Sequence, residues 1–325
     1  MKFRKLLAAV LAMASFCFCQ AAGAAAHDAA SSSSIQPFLG RWDITITTPS
    51  GKVPSWLDLY EQSGALKAEM TGRWGNARPI ARVSVSNGTL TFVDPKEEEA
   101  AKSDMIFHAT LKNGRLAGSA NGPDGAPWTW VAVRAPSLIR SGTPRWGAPV
   151  SLFNGKNLDG WHEYKSGYFP QPGHWSVADG DIVSPGNGPE LVSDRKFQDF
   201  KLHLEFKSGP VSNSGVYLRG RYELQIENES ADEPPSHHTG GVYGFLAPQP
   251  ELPRVTGKWR TYDVTLIGRR VTVVLDGVTV IDDKEIPGLT GGALDSHEGE
   301  PGPIYLQGSE KGHVYFRNIA IRPAV

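Results

Sequence analysis

Hydrophobic and polar residues alternate with a period of two along most of the chain beyond residue 40. Period two puts successive side chains on opposite faces of a β-strand, so the pattern predicts short strands. Asn-Gly pairs at 87–88 and 113–114 separate alternating runs, and this dipeptide favours two-residue hairpins. The runs of the first half are RWDITIT (41–47), SWLDLY (55–60), ALKAEMTG (65–72), ARVSVSNGTLTFVD (81–94), MIFHATLKNGRLAGSA (105–120) and WTWVAVRA (128–135).

These runs predict an up-and-down β-barrel over residues 37–136. The meander begins with Gly40 and Trp42 and ends on Arg134, and in this it resembles the small calycin-type barrels of the lipocalin and streptavidin kind. The resemblance implies that Trp42 packs under Arg134. His108 is isolated from other ligand-type residues, so we expect no metal or catalytic site here. We interpret this region as an accessory domain that offers a surface to a protein partner.

The second half repeats the strand pattern without any helical periodicity. Residues 137–149 are rich in Pro and Gly and predict a linker, and residues 150–325 predict a two-sheet jelly-roll sandwich. Asp-Gly pairs at 179–180 and 276–277 again favour tight hairpin turns. The runs are WSVADGDIV (175–183), FKLHLEFK (200–207), KWRTYDVTLIG (258–268), VTVVLDGVTVID (271–282) and GHVYFRNIAI (312–321). The whole fold is therefore expected to be all-β.

One strand of the second half has an unusual polar face. In NSGVYLRGRYELQIE (213–227), Tyr222, Leu224 and Ile226 share one face, and Glu223, Gln225 and Glu227 share the other. A solvated outer face is the simpler interpretation. Outer faces favour Thr, Lys and Ser, however, and a row of carboxylate and amide groups is typical of a polar binding surface.

Composition narrows the classes of partner. The 325 residues carry a formal net charge of −1 without long blocks of either sign, so nucleic acid and anionic membranes are not expected partners. Residues 1–26 predict a signal peptide with a basic start, an apolar stretch too short to span a membrane, and Ala-x-Ala sites; residues 27–36 predict a disordered leader. Both cysteines, Cys17 and Cys19, lie in the signal. We expect an exported protein, periplasmic or extracellular.

The motifs of the second half, taken in order, closely resemble the bacterial 3-keto-disaccharide hydrolase family. They are LFNGKNLDGW (152–161), WSVADG (175–180), NSGVYLR (213–219), YELQI (222–226), GKW (257–259), VVLDG (273–277), IYLQ (304–307) and FRNI (316–319). The resemblance implies a concanavalin A-like jelly roll that cleaves glycosides oxidised at C3. A C3 ketone acidifies the C2 proton, and the resulting enolate can expel the group at C1 before water adds. Glu227 directly after Ile226, and Arg260 after Trp259, depart from the common family pattern.

Such chemistry needs a general base, an acid and a group that stabilises the enolate oxygen. The resemblance implies Glu223 and Glu227 as base or acid, and Arg219 or a divalent cation at the oxyanion. A divalent cation is the one cofactor that the resemblance implies, and the identity of its ligands stays open. The substrate-binding candidates are Gln225, Tyr217, His238, Tyr243 and Gln307.

Two other functions stay open at this point. A carbohydrate-binding protein without catalysis could use the same fold, since fold alone does not give function. A two-carboxylate glucanase is the third interpretation, although strand rise puts the Cα atoms of Glu223 and Glu227 roughly 13 Å apart, and a retaining pair needs carboxyl groups roughly 5.5 Å apart. Asp295, His297 and Glu298 form a second candidate group in a Gly-rich loop. Of Trp161, Trp175 and Trp259, we expect at least two in the core.

Overall fold

Strands carry almost all the regular structure of this protein, whose coordinates are a computed structural model. The structure describes residues 34–72, 75–96, 101–165, 172–228, 232–308 and 312–325. One-turn 3-10 helices span Gln36–Phe38 and Pro235–His237. The predicted all-β class is confirmed. The predicted signal peptide lies outside the described residues, as does most of the predicted leader.

The N-terminal half forms one antiparallel sheet in the order β4-β3-β2-β1-β9-β8-β7-β6-β5. The sheet nearly closes on itself, because only Ala81 separates its two end strands and β3 contacts β5. The predicted small barrel is therefore confirmed. Its strands are β1 (Gly40–Thr48), β2 (Gly51–Gln62), β3 (Ala65–Thr71), β4 (Ala77–Ile80), β5 (Arg82–Ser86), β6 (Thr89–Asp94), β7 (Met105–Lys112), β8 (Arg115–Asn121) and β9 (Pro127–Arg134).

Local sequence explains how this barrel turns and closes. Asn87 and Asn113 adopt φ of 50°, each followed by a glycine with positive φ, which is the conformation of a two-residue hairpin turn. The guanidinium of Arg134 lies 3.8 Å from the centre of the Trp42 ring, and the Trp42 indole donates a hydrogen bond to Phe38 O at 2.8 Å. The predicted packing of Trp42 under Arg134 is thus confirmed. A cavity of about 290 Å³ is lined by barrel residues that include Met70, Phe107 and Trp128.

The C-terminal half forms two antiparallel sheets packed face to face. One sheet has the order β12-β13-β22-β15-β18-β19-β20, with β10 pairing to β22, and the other has the order β11-β14-β21-β16-β17. The first sheet consists of β10 (Val150–Ser151), β12 (Ser176–Ala178), β13 (Asp181–Val183), β15 (Phe200–Ser208), β18 (Arg260–Ile267), β19 (Arg270–Leu275), β20 (Val278–Glu285) and β22 (Val314–Pro323). The second consists of β11 (Trp161–Tyr164), β14 (Glu190–Phe197), β16 (Asn213–Leu218), β17 (Tyr222–Glu227) and β21 (Gly302–Leu306).

Both sheets contribute to one continuous core, as expected of a sandwich. Trp161 and Trp175 are buried in it, and each indole donates a 2.6 Å hydrogen bond to a backbone carbonyl. Trp259 lies outside this core, with Arg317 3.8 Å and Lys207 4.8 Å from its ring centre. The expectation that at least two of the three tryptophans fill the core is confirmed.

Barrel and sandwich pack directly on each other within the compact unit Phe38–Val325. The outer face of the barrel supplies the contact: Trp56 packs with Leu289 and Ala293, and the Thr45 hydroxyl hydrogen-bonds to that of Ser296. The predicted domain boundaries stay predictions, but this face of the barrel is covered by the chain's own sandwich.

Candidate functional site

The predicted polar row lies on the face of the five-stranded sheet that points away from the sandwich core. β16 and β17 pair as a hairpin with Tyr217 opposite Glu223, Gly215 opposite Gln225 and Asn213 opposite Glu227. Leu224 and Ile226 point into the core, as the alternation predicted. The polar row is nevertheless not solvated, because Glu223 is 4%, Gln225 1% and Glu227 3% exposed. A buried carboxylate needs a specific partner.

Glu223 has that partner in Tyr217, whose hydroxyl donates to Glu223 Oε2 at 2.8 Å. The same hydroxyl lies 2.9 Å from Gly291 O. Burial, and then the nearby Glu223 carboxylate, hold the pKa of Tyr217 well above its usual value of 10.0, so the phenol stays protonated. A Cβ on Gly215 would collide with the Glu223 carboxylate, so the glycine leaves room for it.

A second carboxylate–phenol pair lies beside the first. Tyr305 hydrogen-bonds to Glu190, and its ring stacks on that of Tyr217 with centroids 4.1 Å apart. Glu190 Oε2 also accepts a 2.7 Å hydrogen bond from Gly308 N. Burial, and then Glu190, raise the pKa of Tyr305 well above 10.0. The site therefore holds two neutral phenols between two carboxylates.

Glu190 and Tyr305 were not among the candidates of the sequence analysis. A signal existed for Tyr305, which alternates with Ile304 and Leu306 as Glu223 alternates with Leu224. The segment 304–307 carried a family motif, but only its Gln307 was predicted to bind substrate. The sequence did not show that β14 pairs with β21 and β21 with β16, and these pairings bring together positions about 90 to 115 residues apart.

Glu227 and Gln225 continue the row toward the far end of β17. Glu227 Oε2 lies 3.3 Å from Arg254 Nη2, an ion pair that ties this carboxylate to a cation. The Glu227 backbone N–H donates to the Thr239 hydroxyl at 2.9 Å. Gln225 Nε2 lies 3.4 Å from Asn213 Oδ1 across the hairpin. These groups are polar but already engaged within the protein.

The predicted loop residues lie at the edge of the same face. The backbone N–H of Tyr243 donates to Glu223 O at 3.0 Å, and its ring stacks on His237 at 4.2 Å. His238 points elsewhere, with Nδ1 2.8 Å from Glu251 Oε1. Gln307 N donates to Gly215 O at 2.9 Å, and its buried Oε1 has no hydrogen-bond partner in the described part of the chain.

Arg219 is not brought to this face. It adopts φ of 53°, and its Nη2 donates to the Tyr222 hydroxyl at 2.9 Å and to Gly268 O at 2.7 Å. Tyr222 belongs to the sandwich core, on the opposite side of β17 from Glu223. The structure thus separates Arg219 from the two carboxylates that it was predicted to assist.

The second candidate loop also leads away from the carboxylates, toward the barrel. Glu298 accepts hydrogen bonds from Tyr222 at 2.6 Å and Arg269 at 3.2 Å, and Asp295 accepts one from Arg221 at 2.7 Å. Asp43 of the barrel is buried next to this group, and neither of its oxygens has a hydrogen-bond partner among the residues described. These charges belong to the junction of barrel and sandwich. His297 is exposed, 3.9 Å from Asp295.

The described ranges contain no group of three or more His, Cys, Asp or Glu residues arranged to hold a metal ion. Each carboxylate of the phenol pairs accepts a tyrosine hydroxyl, so neither pair resembles an open ligand set. The predicted divalent cation stays a prediction. No described helix has the length and apolar character needed to span a membrane.

Comparison with known proteins defines the family. The 3-keto-alpha-glucoside-1,2-lyase-like domain matches residues 148–322, more than half of the chain. The chain therefore belongs to this family, as its motifs indicated. The match covers the whole two-sheet sandwich described above except its last strand residue, and it leaves out the barrel.

Individual relatives are more distant. A 3-keto-disaccharide hydrolase from Bacteroides thetaiotaomicron is 31% identical over 92 residues, which cover 26% of this chain and 31% of that protein. The chain thus aligns with less than a third of the curated relative. A Parabacteroides distasonis structure assigned to the glycosyl hydrolases is 26% identical with a TM-score of 0.45, covering 57% of this chain and 94% of that one. The carbohydrate-binding module CBM66 from Bacillus subtilis is 14% identical with a TM-score of 0.32, covering 49% and 93%.

Proposed function

We propose that this protein is a glycoside-cleaving enzyme that acts on 3-keto-glycosides. The observation that carries the proposal is the buried Glu223–Tyr217 pair. It lies on the sheet face that points away from the core, in a domain that belongs to the 3-keto-alpha-glucoside-1,2-lyase-like family. A carboxylate held against a neutral phenol offers a base and a proton donor within one site.

The proposed reaction has two stages, an elimination and an addition of water. The base removes the C2 proton of the 3-keto sugar, and the electron pair moves toward the C3 oxygen to form an enolate. The C1–O bond then breaks, and the leaving oxygen takes a proton. In the second stage water adds at C1 and a proton returns to C2, which releases the free 3-keto sugar.

Glu223 is the proposed base. Its carboxylate fills the space that the missing side chain of Gly215 leaves, whereas Glu227 is ion-paired with Arg254. The remaining proton donors are the phenols of Tyr217 and Tyr305, both kept neutral by burial. We assign the stabilisation of the enolate oxygen to these phenols rather than to Arg219, since Arg219 contacts Tyr222 on the core side of β17.

Product analysis of the purified protein tests the proposal. The protein is incubated with 3-keto-glucosides and with their unoxidised parents, with and without chelator. Cleavage of the keto sugars alone is expected, and loss of that cleavage with chelator would add a cation to the site. Cleavage of the unoxidised parents would favour the two-carboxylate glycosidase, and binding without cleavage of either set would leave a lectin.

We also propose that the protein is exported. The basic start, the apolar stretch and the Ala-x-Ala sites of the first 26 residues support this location. N-terminal sequencing of protein recovered outside the cytoplasm is expected to begin at His27. An uncleaved N-terminus in material that stays in the cytoplasm would contradict export.

A further inference from the structure

The segment 288–294 of the sandwich contacts both residues of the proposed catalytic pair, Glu223 and Tyr217. The Thr290 hydroxyl accepts a 3.0 Å hydrogen bond from the backbone N–H of Glu223, and Gly291 O lies 2.9 Å from the Tyr217 hydroxyl. A Cβ on Gly292 would collide with that same hydroxyl. The positions of Tyr217 and Glu223 therefore depend on the backbone of this segment.

The other side of the segment rests on the barrel. The Thr71 hydroxyl donates to Leu289 O at 3.0 Å. The backbone of Gly291 approaches that of Gly75 so closely that a Cβ on Gly291 would overlap Gly75 Cα. Trp56 packs on Leu289, and a Cβ on Gly288 would collide with its indole. The barrel thus contacts the segment at successive positions.

Tyr243 makes a second connection between the barrel and the same carboxylate residue. Its backbone N–H donates to Glu223 O, and a Cβ on Gly75 would lie 3.0 Å from its ring. Two residues further on, Phe245 meets Trp56 edge to face with centroids 5.3 Å apart. Gly75 therefore contacts both segment 288–294 and Tyr243, and each of these hydrogen-bonds to the backbone of Glu223.

We propose that the barrel is a positioning element of the catalytic centre, acting through Gly75, Thr71 and Trp56 on segment 288–294 and Tyr243. The inference rests on the proposed function for its kinetic consequence. It differs from the accessory role expected from sequence, since an accessory module could be altered at Gly75 without changing turnover. The family match begins at residue 148, so the barrel lies outside the matched domain.

A pair of glycine variants tests the proposal. Gly75 and Gly125 both lie in barrel turns with positive φ, +91° and +87°, but only Gly75 has neighbours within 4 Å of an added Cβ. Alanine therefore strains both turns alike and displaces neighbours only at Gly75. Gly75→Ala is expected to lower kcat on a 3-keto-glucoside at least about tenfold with a smaller change in KM, while Gly125→Ala keeps kcat. Equal kcat in the two variants would overturn the proposal.

Amide hydrogen exchange, resolved by residue, reports on the same geometry without substrate. The Glu223 amide, bonded to Thr290, is expected to exchange faster in Gly75→Ala than in Gly125→Ala. Unchanged exchange would refute the positioning role even if activity fell. If the wild type cleaves nothing, the proposed function fails while faster exchange would still support the mechanical coupling.

Thr71→Val provides a second route should Gly75→Ala not fold. It keeps the side-chain shape and removes only the hydrogen bond to Leu289 O. The same two readouts apply, and the expected change is a fall in kcat of about threefold to tenfold, in keeping with one lost hydrogen bond. A Thr71→Val protein with wild-type kcat and wild-type exchange at Glu223 would count against the proposal.

Discussion

At the scale of single residues, the site is governed by which buried carboxylates have partners. Glu223 accepts a hydrogen bond from Tyr217, and Glu190 hydrogen-bonds to Tyr305. Both carboxylates therefore have the polar partner that a buried group needs. Asp43 is the contrasting case, buried at the barrel–sandwich junction with no hydrogen bond to either oxygen from the described residues. Glu223 and Glu190 are therefore suited to proton transfer, whereas Asp43 is expected to make the stability of the fold depend on pH.

Replacing Glu223 by Gln should abolish turnover and leave the fold intact. The amide keeps the size of the side chain but cannot take a proton, and loss of a general base costs about 10²- to 10⁴-fold in kcat. Steady-state assays on a 3-keto-glucoside measure this. Glu61→Gln, at an exposed position of the barrel, is the matched control and should behave as wild type. Full activity of Glu223→Gln would remove Glu223 from the mechanism.

Asp43 should make the protein less stable as pH rises from about 4 to 8. Burial, and then the Glu298 carboxylate, raise the pKa of Asp43 to about 8, against the smaller opposing effects of Arg269 and Arg221, with Asp295 adding a further negative charge. The unfolded chain loses the proton near 3.8 and the folded chain only near 8. The contribution of Asp43 to stability is therefore fully present below pH 4, falls as pH rises between the two pKa values, and levels off above pH 8.

Urea unfolding of wild type and Asp43→Asn between pH 4 and pH 9 measures this dependence. The Asn variant cannot ionise, so its free energy of unfolding should change less over this window. Asp124→Asn alters an exposed aspartate of the barrel and should keep the wild-type slope. Parallel curves for wild type and Asp43→Asn would show that Asp43 titrates normally.

At the scale of elements, the hairpin β16–β17 presents the carboxylates on an ordered face. Pairing sets Gly215 opposite Gln225, diagonally next to Glu223, and the missing side chain at 215 is filled by the Glu223 carboxylate. The strand pair therefore fixes where the proposed base lies, and we expect a single methyl group on the neighbouring strand to move it.

Gly215→Ala tests this arrangement without removing any reacting group. The added Cβ displaces the Glu223 carboxylate, so kcat should fall at least about tenfold, with a stability loss of about 1 kcal/mol from overpacking. Gly209→Ala is the control, since its Cβ would come no closer than 3.2 Å to a neighbour, the Ser212 hydroxyl. Steady-state kinetics and thermal unfolding of the two variants measure these effects. A Gly215→Ala protein as active as Gly209→Ala would contradict the proposed role of Glu223.

The elements were largely predictable because their signals are local. Asn87-Gly88 and Asp276-Gly277 adopt the positive φ that their hairpins require, and the alternation of β17 gave its two faces correctly. The residues that lie next to Glu223 and Tyr217 in space were not predictable, since they depend on strand order. Tyr305 meets Tyr217 only because β21 pairs with β16. Arg219 lies on the core side of β17 for a local reason, because its positive φ breaks the alternation before the turn.

At the scale of the whole molecule, barrel and sandwich share a buried junction. Trp56 is 1% exposed although it lies on the outer face of a barrel strand, next to inward-facing Leu57. The alternation along the strand predicts an exposed position for Trp56, since nothing near it in the chain indicates that the sandwich covers this face. Its partners Leu289 and Phe245 are about two hundred residues away.

Trp56→Ala should destabilise the protein by roughly 3–5 kcal/mol, because it empties the centre of this junction. Calorimetry should show a lower Tm and a transition that no longer unfolds both halves together. Trp259→Ala is the control, since that ring lies against Arg317 and Lys207 outside the sandwich core. A Trp56→Ala protein that melts like Trp259→Ala would show that the junction contributes little.

The close backbone approach of Gly75 to Gly291 has a practical consequence for anyone who clones this protein. A gene fragment drawn from family similarity alone would start near residue 148 and discard the barrel. Such a fragment would expose Leu289 and Phe245 to water and leave the Gly291 backbone without its neighbour. Expression libraries and activity screens should carry the chain from residue 38 onward, because an inactive truncated clone would not test the proposed activity.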